Sequence, residues 1–294
     1  SEVASRLYGF ERMIGPYAVA QLRLTRAVLD EGGHLPEGGL RVYLTDTLEN
    51  PYGSMLHEHK LGMVYERLAE EGERAREVKN KVPILVCIGN PPYDREEADG
   101  ERGGWVRRGD KDEEKKDDKK PLLYDFIEPV KDPRDGLHLK NLYNLYVYFW
   151  RWALWKVFEH NPERPDEKDW NRPGIVAFIT ASSYLQGPGF KGMREYMRKV
   201  LDELWIVDLG GEGRGAVKEE NIFNIQTPVA IAIAVRYGPK DKHTPARVFY
   251  TRIKGDRQAK LNRLDQVSTL RDLEWQEAPT GWQDPFIPGP QGEY

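Results

Sequence analysis

The sequence predicts an α/β protein built on a mostly parallel, doubly wound sheet. Two observations carry that prediction: short apolar runs recur along the chain, and longer segments of helical periodicity stand between them. Several runs are apolar without alternation, Ile84-Leu85-Val86-Cys87-Ile88 above all, which is the pattern of a strand covered on both faces.

Strands are expected at Arg6–Glu11, Leu40–Asp46, Pro83–Asn90, Gly174–Thr180, Glu203–Leu209, Pro228–Arg236 and Ala246–Ile253. Between the first two, a helix starts near Gly15-Pro16, where proline suits a first turn, and stops at Gly32-Gly33. Ala18, Leu22, Thr25 and Leu29 line one of its faces. A second helix runs from Leu56 to Lys79 and becomes strongly charged after Glu66. A third, Leu142 to Glu159, carries Leu145, Phe149, Ala153 and Val157 on one face and Trp150, Leu154 and Phe158 on the next. Apolar nearly all round, it is expected to be deeply buried. A fourth lies around Met193–Leu201. Glu101–Lys120 is almost pure charge without periodicity and reads as a mobile surface loop inside a domain spanning residues 1–255. Residues 256–294, rich in Trp, Pro, Asp and Arg, lose the α/β rhythm and read as a linker or the start of a further domain.

At 294 residues the chain is long enough for one large domain or two small ones. No run approaches the roughly 20 apolar residues of a membrane span. Ser1-Glu2-Val3-Ala4-Ser5 lacks the basic start and apolar core of a signal peptide, so a cytoplasmic location is expected. The single cysteine, Cys87, excludes an internal disulfide and a multi-cysteine zinc site, and within an apolar run it reads as packing. His57 and His59 diverge on a helix, the other histidines are scattered, and no metal site is expected. With 44 basic against 48 acidic residues, net charge −4, the chain has no global attraction to phosphate.

Asn90-Pro91-Pro92-Tyr93 is the motif that carries chemistry. It follows an apolar strand directly, where ligands bind in open α/β sheets. The prolines stiffen the backbone and leave the Pro91 carbonyl outside any local ladder. The Asn90 amide oxygen and the Pro91 carbonyl then accept both hydrogens of one exocyclic amine. That discourages the nitrogen lone pair from delocalising into its ring and makes the amine a better nucleophile. Tyr93 offers a face on which a planar base stacks.

With these residues in place, the sequence resembles S-adenosylmethionine-dependent amino-methyltransferases, specifically adenine-N6 DNA methyltransferases of restriction–modification systems. Within them it is most like the methyltransferase parts of large single-chain enzymes that also carry nuclease and helicase domains. The resemblance spans residues 6–260. It rests on Asn90–Tyr93 and, in the family's order, on Tyr8-Gly9-Phe10-Glu11 with the helix from Pro16, Val42–Glu49, Asn144–Phe149, Ile179–Leu185 and Asn221–Ile225. It implies a Rossmann-like fold, S-adenosylmethionine as cofactor and double-stranded DNA as partner, with further domains or subunits of such an enzyme. It also implies that Glu11 accepts from the cofactor's ribose hydroxyls, that Asp46 accepts from its adenine amino group, and that Leu145 packs beside it. Phe223 would form the second wall of a stacking slot with Tyr93. Each has a plainer alternative: a solvated first-turn glutamate, a turn aspartate before Asn50-Pro51, and two core side chains.

The family's glycine-rich cofactor turn follows a first, central strand, normally upstream of the Glu11 region. Only five residues precede Arg6, so that strand is expected to be missing and the chain to be a fragment, or to be completed by another chain. Ile206–Gly215 (IVDLGGEGRG) resembles the missing turn, but polar Lys218–Thr227 follows it rather than a helix, so a tight connection near the substrate cleft is expected instead. The rival activities are methylation of a protein glutamine or an RNA base. The rival class is a catalytically incomplete recognition or scaffold domain.

Overall fold

The structure is a computed structural model that describes residues 2–53, 63–95, 103–109, 120–130, 138–165, 167–211 and 219–289. Its contacts divide the chain into two compact units, Ser1–Val82 and Pro83–Tyr294.

The first unit holds strand β1 (Gly9–Glu11), helix α1 (Ile14–Asp30), strand β2 (Val42–Leu44) and helix α2 (Met63–Lys81). β1 and β2 run parallel, with Glu11 opposite Leu44. α1 stops where Gly32 turns to φ +70°, and the Gly33 N–H closes back onto the Val28 carbonyl at 2.8 Å. Its ties are polar: Gln21 donates to the Val42 carbonyl at 3.0 Å, and the Tyr17 hydroxyl donates to Glu71 at 2.6 Å. The expected apolar face is not covered. No residue of α1 is buried, and Leu22 stands 70% exposed. A two-stranded sheet offers too little surface to cover a 17-residue helix. Residues 54–62, with the expected start of α2 and with His57 and His59, lie outside the described residues.

The second unit is a six-stranded sheet in the order β3-β4-β6-β5-β7-β8. Its strands are β3 (Val86–Gly89), β4 (Gly174–Ala181), β5 (Glu203–Gly210), β6 (Val229–Arg236), β7 (Arg247–Arg252) and β8 (Gln276–Glu277). All seven expected strands are present, and β8 is additional. β3, β4, β5 and β7 share one direction, while β6, wedged between β4 and β5, and edge strand β8 run against them. Helix α3 (Leu145–Leu154) widens into a π turn over Trp155–Glu159 and is buried as expected, with Trp150 edge-on to Phe178 of β4 at 4.9 Å. The π turn brings Glu159 back to Arg151, both fully buried, with contacts of 3.0 and 2.7 Å. Asp125 and Lys168 extend this ionic knot. Helix α4 (Lys191–Val200) supplies Tyr196 to it.

Two expectations are corrected here. The β3 run is not covered on both faces: Leu85, Val86 and Ile88 are exposed. Apolar composition reports what a strand prefers to contact, not whether a neighbour is there. Second, Gly104–Arg108, inside the segment read as a mobile loop, is a short helix anchored by buried Val106 and by Trp105 edge-on to Trp155 at 5.0 Å; residues 110–119 lie outside the described residues. Helix α5 (Arg257–Asp265) and β8 belong to the second unit. Buried Arg194 and Arg198 clamp the segment after β8 by donating to the carbonyls of Pro279, Gln283, Asp284 and Pro285, and Phe286 is fully buried beneath Arg198.

Candidate active site

Asn90 to Tyr93 leave the C-terminal end of β3, and proline explains why the strand ends there. The Ile175 N–H donates to the Leu85 carbonyl at 2.9 Å, and the register continues through Ile88 opposite Ala177 to Gly89 opposite Phe178. Continued two residues further, the donor facing the Ile179 carbonyl would be the N–H of position 91. Proline has none, so the ladder stops and the Ile179 carbonyl is left without a ladder donor. Gly89 fits because a Cβ there would meet the Phe178 ring at 3.3 Å.

Within the motif Asn90 is exposed, Pro91 is buried and Tyr93 is half-buried. The Tyr93 hydroxyl donates to Asn90 Oδ1 at 2.6 Å and lies 3.4 Å from the Ile179 carbonyl. Burial pushes its pKa up to about 12, so it remains a donor at any physiological pH. Its ring packs against the cluster of Val207, Leu209, Ile222, Val229, Ile253 and Leu273.

Beyond the motif, the Asp94 carbonyl accepts from the Leu145 N–H at 3.0 Å, and Arg95 bridges to Asn144, the N-cap of α3. Leu145 is therefore joined to the motif through the backbone, and its side chain is buried at the start of α3. Phe223 lies on the loop before β6. Asn221 shapes that loop: its Oδ1 accepts from the Phe223 N–H at 2.8 Å, its Nδ2 donates to the Thr227 carbonyl at 2.7 Å, and Asn224 turns at φ 57°. Phe223 is left 41% exposed, while its neighbour Ile222 belongs to the cluster under Tyr93. Among the described residues the Tyr93 and Phe223 rings are not in contact.

The glycines after β5 belong to the same loop. Gly210 and Gly211 adopt φ +58° and +95°, and Cβ atoms there would collide with Glu219 and Asn221 at 2.3 and 2.5 Å. The carboxylate of Asp208 is already engaged by the Gly210 N–H and the Tyr250 hydroxyl, at 2.8 and 2.7 Å. The described part of this segment is a tight connection; residues 212–218 lie outside the described residues.

In the first unit, Glu11 and the Asp46 turn lie at the C-terminal ends of two adjacent parallel strands. Glu11 Oε1 accepts from the Met13 N–H at 2.8 Å, opening α1, and Asp46 Oδ1 accepts from the Leu48 N–H at 2.9 Å. These are the local roles that the plainer alternatives describe, yet Oε2 of Glu11 keeps no partner among the described residues. Sequence reasoning missed Lys79. Fully buried, it donates to the Asp46 carbonyl at 2.5 Å and to Thr45 Oγ1 at 3.1 Å, and burial lowers its pKa to about 8. The sequence signal was its position at the last turn of α2, where a lysine normally reaches water. Among the described residues no cluster of His, Cys, Asp and Glu is placed to hold a metal ion, and no helix is long and apolar enough to cross a membrane.

No protein-family model and no curated protein sequence matches the chain. Solved structures do. A cryo-EM structure of a DrdV–DNA complex superposes with TM-score 0.69 at 21% identity, over 98% of this chain and 25% of that one. A nuclease-deletion mutant of the Type ISP restriction-modification enzyme LlaGI with a DNA substrate mimic gives 0.68 at 20% identity, over 95% of this chain and 21% of that one. The ATP-dependent Type ISP restriction-modification enzyme LlaBIII bound to DNA gives 0.66 at 23% identity, over 95% and 17%. The chain thus has the fold of a segment of restriction–modification enzymes, and it spans a quarter or less of the length of the structures it matches.

Proposed function

We propose that this chain is the methyltransferase portion of a restriction–modification enzyme, transferring a methyl group from S-adenosylmethionine to N6 of an adenine flipped out of double-stranded DNA. One observation carries the reading: Asn90-Pro91-Pro92-Tyr93 leaves the C-terminal end of a parallel strand with Asn90 exposed and Tyr93 beside it. The fold shared with DNA-bound restriction–modification enzymes supports DNA over a protein or an RNA as the substrate.

N6 lies inside a base pair, so the base must leave the duplex to reach Asn90. Asn90 Oδ1 and the Pro91 carbonyl accept its two hydrogens and hold the lone pair on nitrogen. Tyr93 and Phe223 supply stacking faces, and positioning provides most of the rate. The cofactor supplies an electrophilic methyl on a sulfonium. The acceptor set of the first unit fits its hydroxyls and amine, because Glu11 retains a carboxylate oxygen without a partner at a strand end and Asp46 follows the adjacent strand. Glu11 and Asp46 would hold it.

Asn90→Ala tests the assignment. Methylation of adenine in DNA by the intact protein should fall by at least about 100-fold, a barrier of roughly 3–4 kcal/mol by analogy with loss of an oxyanion-hole donor. The melting temperature should not move, since Asn90 is exposed. Wild-type methylation by a folded Asn90→Ala protein overturns the reading.

A further inference from the structure

The tyrosine that offers a stacking face also occupies the acceptor the reaction needs. Its hydroxyl donates to Asn90 Oδ1 at 2.6 Å, with the Ile179 carbonyl 3.4 Å from the same oxygen. A phenol carries one proton and serves one of these acceptors well at a time. While it serves Asn90, electron density on Oδ1 is drawn toward the hydroxyl, which makes that oxygen a poorer acceptor for an incoming amine. The second acceptor is open because position 91 is proline, so no ladder N–H meets the Ile179 carbonyl.

Resting on the methyl-transfer assignment, we propose that the Tyr93 hydroxyl is a place-holder on the Asn90 acceptor, moving to the Ile179 carbonyl when the exocyclic amine of the target base arrives. One O–H···O hydrogen bond is exchanged for another, so the site opens without leaving a donor unpaired. When a base without an amine arrives, the hydroxyl stays on Oδ1 and the amide oxygen keeps its partner. The motif thereby couples two functions of its prolines: Pro91 ends the strand, and by doing so it provides the hydroxyl's second seat.

The test compares binding of two short duplexes, one with adenine and one with purine (which lacks the amine) opposite an abasic position. In Tyr93→Phe, purine strands Oδ1 without a donor while adenine meets a free acceptor. The ratio of purine to adenine Kd should rise about 3- to 10-fold over wild type, the worth of one neutral hydrogen bond. Pro91→Ala acts oppositely: its new N–H takes the Ile179 carbonyl, and adenine binding should weaken by a similar factor while purine binding holds. In an Asn90→Ala background, Tyr93→Phe should leave the ratio unchanged. A ratio that is unmoved or lowered by Tyr93→Phe in a protein that Asn90→Ala inactivates overturns the place-holder alone. Full methylation by Asn90→Ala overturns the underlying assignment instead.

Discussion

The two units hold their strand ends in different ways. In the second, the motif leaves a strand of a six-stranded sheet against which α3 packs, Trp150 on Phe178, with the Arg151–Glu159 pair buried in the same unit. In the first, Glu11 and the Asp46 turn rest on two three-residue strands beside a helix that buries nothing, with a buried lysine amine tying the turn together. The contrast teaches where rigidity comes from. Buried side chains and an ion pair fix the strand end of the second unit, whereas hydrogen bonds hold those of the first.

Three substitutions break or sharpen that contrast. The largest effect is expected from Arg151→Met, which leaves Glu159 charged and fully buried; the remaining cation nearby, Lys168, stands 3.9 Å away. Denaturant unfolding of the second unit should show a loss of about 3–5 kcal/mol, and Arg151→Met with Glu159→Leu should recover most of it. A smaller, pH-dependent effect is expected in the first unit. Lys79 titrates near 8 when folded, because burial disfavours its charge, whereas an unfolded lysine titrates near 10.4. Below about pH 8 both states are protonated, and the burial cost is fully present. From there to about 10.4 the unfolded chain holds the extra proton, so stability rises with pH. Relative to wild type, Lys79→Met should lose roughly 2–3 kcal/mol of its advantage between pH 7 and 10.5, read from paired melts across that range. A constant difference would show that Lys79 is not charged and buried at neutral pH. The smallest effect is Leu22→Gln on α1: because that face is exposed, the change should stay within about 0.5 kcal/mol. A loss of 2 kcal/mol or more, the cost of a core leucine, would mean the face is covered in solution.

Much of this was legible beforehand, and what was not has a physical reason. Every expected strand formed, because apolar runs between polar breaks leave few alternatives. Asn90–Tyr93 was legible because two prolines after an apolar strand dictate local geometry. The exposure of Leu85 and Ile88 was not, since a run of hydrophobic residues is silent about its neighbours. Nor was the docking of the segment around residues 279–286, which depends on Arg194 and Arg198 donating to carbonyls more than eighty residues away. Such bonds leave no trace in periodicity, because arginine at a helix position reads as solvent-facing. At the site, Glu11 and Asp46 were legible as strand-end acids, but their caps onto Met13 and Leu48 follow from backbone directions that sequence does not display.

The crowding around Gly210 and Gly211 has a consequence for anyone recombining this scaffold with another. Glu219 and Asn221 fill the space that side chains at those glycines would take, and Asn221 in turn sets the loop that presents Phe223. The end of β5 and the loop before β6 are therefore one heritable module. A graft that swaps residues 219–227 must carry both glycines with it, or the transplanted loop will arrive misfolded however well its own sequence suits its new surroundings.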